Sequence, residues 1–134
     1  MPHLVILYTA NLDKETDMTA LCRTLADTML QVKDEQGAQV YPTGGTRVLA
    51  YPAPHYAVAD GKADYAFVYL NVRMAKGRSS AIQKIAGEAI ITATKAHFLP
   101  VFANRHIGIT LQIDEGHEVF DSKHSNLHPL FNKL

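Results

Sequence analysis

The 134-residue chain has no tryptophan and a single cysteine, Cys22, so an internal disulfide is excluded and a cysteine-built metal cluster with it. It also lacks an excess of charge, since 13 Lys plus Arg balance 13 Asp plus Glu. No global field then draws in nucleic acid or an acidic membrane, and any anion must be held by locally placed cations. Long apolar runs are missing as well. No stretch approaches the ~18 uninterrupted apolar residues of a membrane span, and no basic segment leads into an apolar run at the start, so neither export nor membrane spanning is expected. A lone thiol suits a reducing cytoplasm. Its place among Leu21, Leu25 and Met29 reads as a small buried hydrophobe rather than a nucleophile. One domain over residues 1–134 is expected, because chains of about 100 to 200 residues bury a single core.

What is present is a pattern that alternates between two periods. Leu4 to Tyr8 is aliphatic and β-branched without helical phase, a strand buried on both faces, and Asn11 to Thr16 is its polar exit loop. Thr16 or Asp17 caps a helix whose apolar positions Met18, Leu21, Cys22, Leu25 and Met29 recur at spacings of three and four. Pro42-Thr43-Gly44-Gly45 is a turn cluster, Arg47 to Tyr51 extends as a strand, and Pro52 and Pro54 break it. The second half repeats the plan. Tyr65 to Arg73 sets Phe67, Tyr69, Asn71 and Arg73 against Ala66, Val68, Leu70 and Val72 in strict alternation. Gly77-Arg78 turns. Ser80 with Gln83 forms a capping box for a helix that carries Ile82, Ile85, Ala86, Ala89, Ala93 and Ala96 and ends before Pro100. Ile107 to Ile113 is a last strand, followed by a polar tail.

Two β-α-β units joined by right-handed crossovers make an α+β fold in which both helices cover one face of a common sheet. The opposite face then carries apolar residues with nothing over them. Such a patch exceeds what monomers ordinarily leave in water, so self-association is expected.

Chemistry enters at Pro2. Removal of Met1 would leave a secondary amine at the head of the first strand. An unperturbed α-amino group titrates near pH ~8, and burial beside apolar strands disfavours its cation, so the nitrogen would be neutral and basic near physiological pH. With Met1 retained, the same nitrogen is a tertiary amide without useful basicity.

Other signals read as structure. The seven histidines are spread from His3 to His128. His124 and His128, four apart, supply too few ligands for zinc, so no metal is expected. Gly44-Gly45-Thr46 lacks the lysine of a phosphate loop, and Ser79-Ser80 lacks a nucleophile elbow. Tyr65, Phe67 and Tyr69 have no basic interleaving, which argues against a base-stacking platform and nucleic acid.

Several segments, in order over essentially the whole chain, carry a family likeness: Pro2-His3-Leu4-Val5-Ile6, Ala59-Asp60-Gly61, Asp64-Tyr65-Ala66-Phe67-Val68, Gly77-Arg78-Ser79, Ala86-Gly87-Glu88 and Asn126-Leu127-His128-Pro129-Leu130-Phe131. Together they resemble the 5-carboxymethyl-2-hydroxymuconate isomerases of the tautomerase superfamily, which also includes 4-oxalocrotonate tautomerase and macrophage migration inhibitory factor. The resemblance implies a homotrimer of β-α-β-β-α-β subunits with a four-stranded mixed sheet and active sites near subunit interfaces. It implies keto-enol isomerisation of an unsaturated dicarboxylate or tricarboxylate in homoprotocatechuate degradation, without metal or organic cofactor. Pro2 would take a proton from the dienol hydroxyl and return one to carbon along the conjugated system. Arg78 matches the arginine of the family's Gly-Arg-Ser turn and would clamp a carboxylate, as its position before a helix N-terminus also suggests.

Two departures bear on the pocket. The family carries two arginines one residue apart where this chain has Gly45 and Arg47, leaving Arg47 as the one substrate-binding candidate there. The stretch Tyr51 to Val58 is slightly longer than in the family. Gly45 in place of an arginine keeps open a hydratase or dehalogenase of unsaturated acids, which works through a protonated proline, and retention of Met1 would leave a trimeric binding protein without catalysis.

Overall fold

A computed structural model describes residues 2–131 of the chain. Its elements are β1 (His3–Thr9), α1 (Met18–Leu30), β2 (Arg47–Ala53), β3 (Ala66–Met74), α2 (Ser80–Phe102) and β4 (Ile107–Glu115), with single 3₁₀ turns at Ala10–Leu12, Thr43–Gly45 and His128–Leu130. The strands form one mixed sheet in the order β2-β1-β3-β4. Within each β-α-β unit the two strands run parallel, and the units meet through the antiparallel pair β1 and β3.

Period-two patterning decides which residues face the helices. Leu4 and Ile6 of β1 and Val68, Leu70 and Val72 of β3 are sealed from solvent, as are Leu21, Leu25 and Met29 of α1 and Ala86, Ile90 and Phe98 of α2, all in one core. Both helices therefore lie on the same face. On the other face Leu7, Leu49 and Tyr51 are exposed. The register sets Tyr51, Leu7 and Tyr69 in one row across it and Leu49, Val5 and Asn71 in the next.

Local chemistry moved several expected boundaries. The exit of β1 is not all loop, because Leu12 is fully buried and pulls Ala10–Leu12 into a 3₁₀ turn against the core. Asp17, not Thr16, caps α1 by accepting the Ala20 N–H at 3.0 Å. The cap of α2 is Ser79 rather than Ser80: Ser79 Oγ accepts the Ile82 N–H at 3.2 Å, and Gln83 donates its side-chain amide to the Arg78 carbonyl at 3.5 Å. That helix runs past Pro100 to Phe102. A proline this near a C-terminus forfeits one backbone bond, and burial of Phe98 and Val101 holds the final turn. Nor does Pro52 break β2. The strand is an edge paired only with β1, where a missing N–H can point away from the ladder. Cys22 is half-buried, and burial pushes its thiol pKa up.

The C-terminal segment returns to the start of β2. An added Cβ on Gly44 would lie 2.6 Å from His128 Cα, so only glycine admits the tail at this contact. Val119 and Phe120, between β4 and this contact, are almost wholly exposed.

Candidate active site

Pro2 is buried and stands one residue ahead of β1, a strand flanked on both sides. The ladder pairs His3 with Arg47 on β2 and with Arg73 on β3. One step back, Pro2 therefore lies beside Met74, on the side of the sheet that Leu4 shares with the helices. Met74 is buried, and its sulfur accepts the Tyr41 hydroxyl at 3.9 Å. The Tyr41 ring in turn carries the Arg78 guanidinium, 5.3 Å from its centroid. From Met74, one register step from Pro2, contacts thus lead through Tyr41 to Arg78. Burial raises the Tyr41 pKa against the opposing effect of the Arg78 cation, which favours the neutral hydroxyl.

Arg78 is half-buried at the foot of α2. It donates Nη2 to the Val40 carbonyl at 3.1 Å and Nη1 to the Ala75 carbonyl at 3.3 Å. A guanidinium has five N–H groups, so two such bonds fix its plane and leave donors for an anion. The first turn of α2 adds backbone N–H groups, of which Ser79 satisfies that of Ile82.

Arg47 lies elsewhere. Register with His3 puts it on the helix-free face, so the sheet separates it from Arg78. It also borders a groove of about 500 Å³ between α1, β2 and the tail, lined by Cys22, Leu30, Val48, Leu127 and Phe131. Gly45, where the family has its other arginine, is buried in the 3₁₀ turn before β2. Across the helix-free face at the Pro2 end runs a single row, Arg47, His3, Arg73 and Asp114. His3 Nδ1 is buried without a hydrogen-bond partner. Burial lowers the His3 pKa, and the Arg47 and Arg73 cations lower it further, with Glu118 opposing. His3 and Arg73 were not singled out by sequence spacing. The alternation in β3 set Arg73 on its face, but nothing local showed that the antiparallel register brings it beside His3.

Among the described residues no group of three His, Cys, Asp or Glu side chains could hold a metal ion, and no helix is long and apolar enough to cross a membrane. The sheet end thus offers a secondary amine, were Met1 removed, with guanidinium groups on both sides of the sheet. Such an arrangement can bind polyanions and move protons.

The fold is tautomerase-like: a solved structure of a fused 4-OT, 17% identical, superposes with a TM-score of 0.55 over 84% of this chain and 87% of its own, a likeness of fold alone. Within that class the chain belongs to the 5-carboxymethyl-2-hydroxymuconate isomerase family, whose model matches residues 2–131. A crystal structure of a 5-carboxymethyl-2-hydroxymuconate delta-isomerase is 58% identical, with a TM-score of 0.96 over 99% of this chain and 94% of that one. A 5-carboxymethyl-2-hydroxymuconate isomerase from Deinococcus radiodurans R1 is 32% identical, with a TM-score of 0.87 over 98% and 95%. The 5-carboxymethyl-2-hydroxymuconate Delta-isomerase of Escherichia coli is 28% identical over 98% of this chain and 99% of its own. The protein is an isomerase.

Proposed function

We infer that this isomerase acts on 5-carboxymethyl-2-hydroxymuconate or a similar unsaturated polycarboxylate, with Pro2 as its proton shuttle after loss of Met1. The observation that carries this reading is the position of Pro2: it heads an interior strand, is buried, and adjoins the Met74–Tyr41–Arg78 path. Burial favours the neutral amine, which takes the proton of the dienol hydroxyl. The resulting dienolate carries negative charge along its conjugated chain, and the ammonium form of Pro2 returns the proton to carbon, regenerating the base. Arg78 holds a carboxylate and favours charge that builds toward it, as a preformed cation does in a water-poor site. No redox change occurs and no group leaves, so the step asks for no co-reactant.

The helix-free face supports a homotrimer. Leu7, Leu49 and Tyr51 form an apolar band that other copies would cover. Work in the cytoplasm, on a metabolite of aromatic-acid breakdown, follows the same reading.

The test is an ultraviolet assay with a 2-hydroxymuconate-type dienol. A variant with a retained residue ahead of Pro2, which turns its nitrogen into an amide, should lose about a hundredfold or more in rate. Full activity in that variant removes the proline mechanism. The hydratase or dehalogenase reading is kept by Gly45 standing where the family has an arginine; turnover of a haloacrylate or an acetylenic acid in place of the dienol would select it.

A further inference from the structure

The geometry points to a second carboxylate site: Arg47, His3 and Arg73 form an anion-binding row on the helix-free face at the Pro2 end of the sheet, which takes a second carboxylate of the substrate whose first is held by Arg78. The proposal deepens the isomerase reading and rests on it. Three observations carry it.

First, the three residues are direct register neighbours, with His3 between the two arginines. Strands lie about 4.8 Å apart, so the guanidinium stems stand roughly 10 Å from each other, a span that a carboxylate above His3 can bridge. Second, the negative charge beside the row is only loosely engaged. Asp114, the fourth member, accepts the Asn71 side-chain amide at 2.8 Å, and Glu118 makes one long, exposed ion pair with Arg73, 4.0 Å from its Nε. Among the described residues Arg47 forms no ion pair. A carboxylate between the two cations would be attracted by both, in competition with Glu118 for Arg73. Third, His3 Nδ1 is buried and unpartnered, a cost that native structures seldom carry and that an incoming oxygen, met by a turn of the ring, would relieve.

Pro2 is the hinge of the arrangement. It stands one residue ahead of β1, at the end of the sheet where the two faces meet. A substrate with two terminal carboxylates can lie around that end, one carboxylate toward Arg78 on the helix side and the other toward the row. Arg47 and Arg73 then act as specificity-determining residues, because they reward a second carboxylate. A monocarboxylate leaves the row empty.

The test uses equilibrium binding, so it does not depend on turnover. Muconate is a dicarboxylate without the hydroxyl that isomerisation needs; sorbate has the same six-carbon diene with one carboxylate. Calorimetric titration of Met1-free protein should show muconate binding about tenfold or more tightly than sorbate. R73Q should abolish that preference while sorbate affinity stays within about twofold, and R73K, which keeps charge but not the planar fork, should fall between. The His3 ring resonances should shift on adding muconate to the native protein and not to R73Q. Arg73 is exposed, so R73Q should fold, which circular dichroism would verify. Equal affinity for the two acids in the native protein, unchanged muconate binding in R73Q, or equal loss of both ligands would each overturn the proposal. Loss of the proline mechanism would appear only in the rate assay and would leave these affinities as they are.

Discussion

Gly44→Ala is the substitution whose effect the structure specifies most closely. A Cβ placed there lies 2.6 Å from His128 Cα, 3.0 Å from its Nδ1 and 3.2 Å from its Cβ. Ordinary carbon contacts begin near 3.5 Å, so about 0.9 Å must be found between two backbones, neither of which can rotate away as a side chain would. Overpacking of this kind costs about 1–3 kcal/mol. For a chain of this length 1 kcal/mol moves the melting temperature by about 4 °C, giving an expected fall of about 4–12 °C by calorimetry. The alternative to strain is release of the tail. Leu127 and Phe131 would then leave the groove beside Arg47, and limited proteolysis should cut near His128 much sooner than in the native protein. Unchanged melting together with unchanged proteolysis would refute the tail contact.

Two further outcomes follow from the sheet. Leu49→Asp places a charge in the apolar band of the helix-free face, where burial of an unpaired carboxylate costs several kcal/mol; sedimentation should show a three-chain assembly for the native protein and free subunits for the variant, and identical behaviour would contradict the docking role of that face. Tyr8 is pushed up to about 12, first by burial and then by its hydrogen bond to Asp13. Because the folded value is raised, the neutral phenol contributes stability that is present below pH ~10 and lost between about 10 and 12. Alkaline ultraviolet titration should show a late phase that Tyr8→Phe removes, and its persistence in the variant would assign it to another tyrosine.

Much of the architecture was legible because period and burial coincide. The alternation of Tyr65 to Arg73 and the spacing of Met18, Leu21, Leu25 and Met29 each report a single surface, and the structure uses those surfaces. The bare face followed from the same alternation. Pairwise choices were harder. Ser79 and Ser80 are equivalent as sequence, and only the course of the backbone at Gly77-Arg78 selects the first as cap. Pro52 and Pro100 looked like stops because their cost is local, whereas an edge position in one case and two buried neighbours in the other are tertiary facts. Residue order also named Pro2, Arg47 and Arg78 but could not say on which face each would stand. That depends on register between segments 44 and 70 residues apart, and it sets Arg47 and Arg73 on either side of His3 rather than beside Arg78.

The role of Pro2 is open to one direct measurement, the titration of its nitrogen by ¹⁵N NMR in protein shown by intact mass to have lost Met1. The account predicts a pKa clearly below the ~8 of an ordinary α-amine, because the neutral form must be present at the start of each turnover. A value at or above that of a free α-amine would contradict it, leaving the proline a cation at neutral pH and unable to take the first proton.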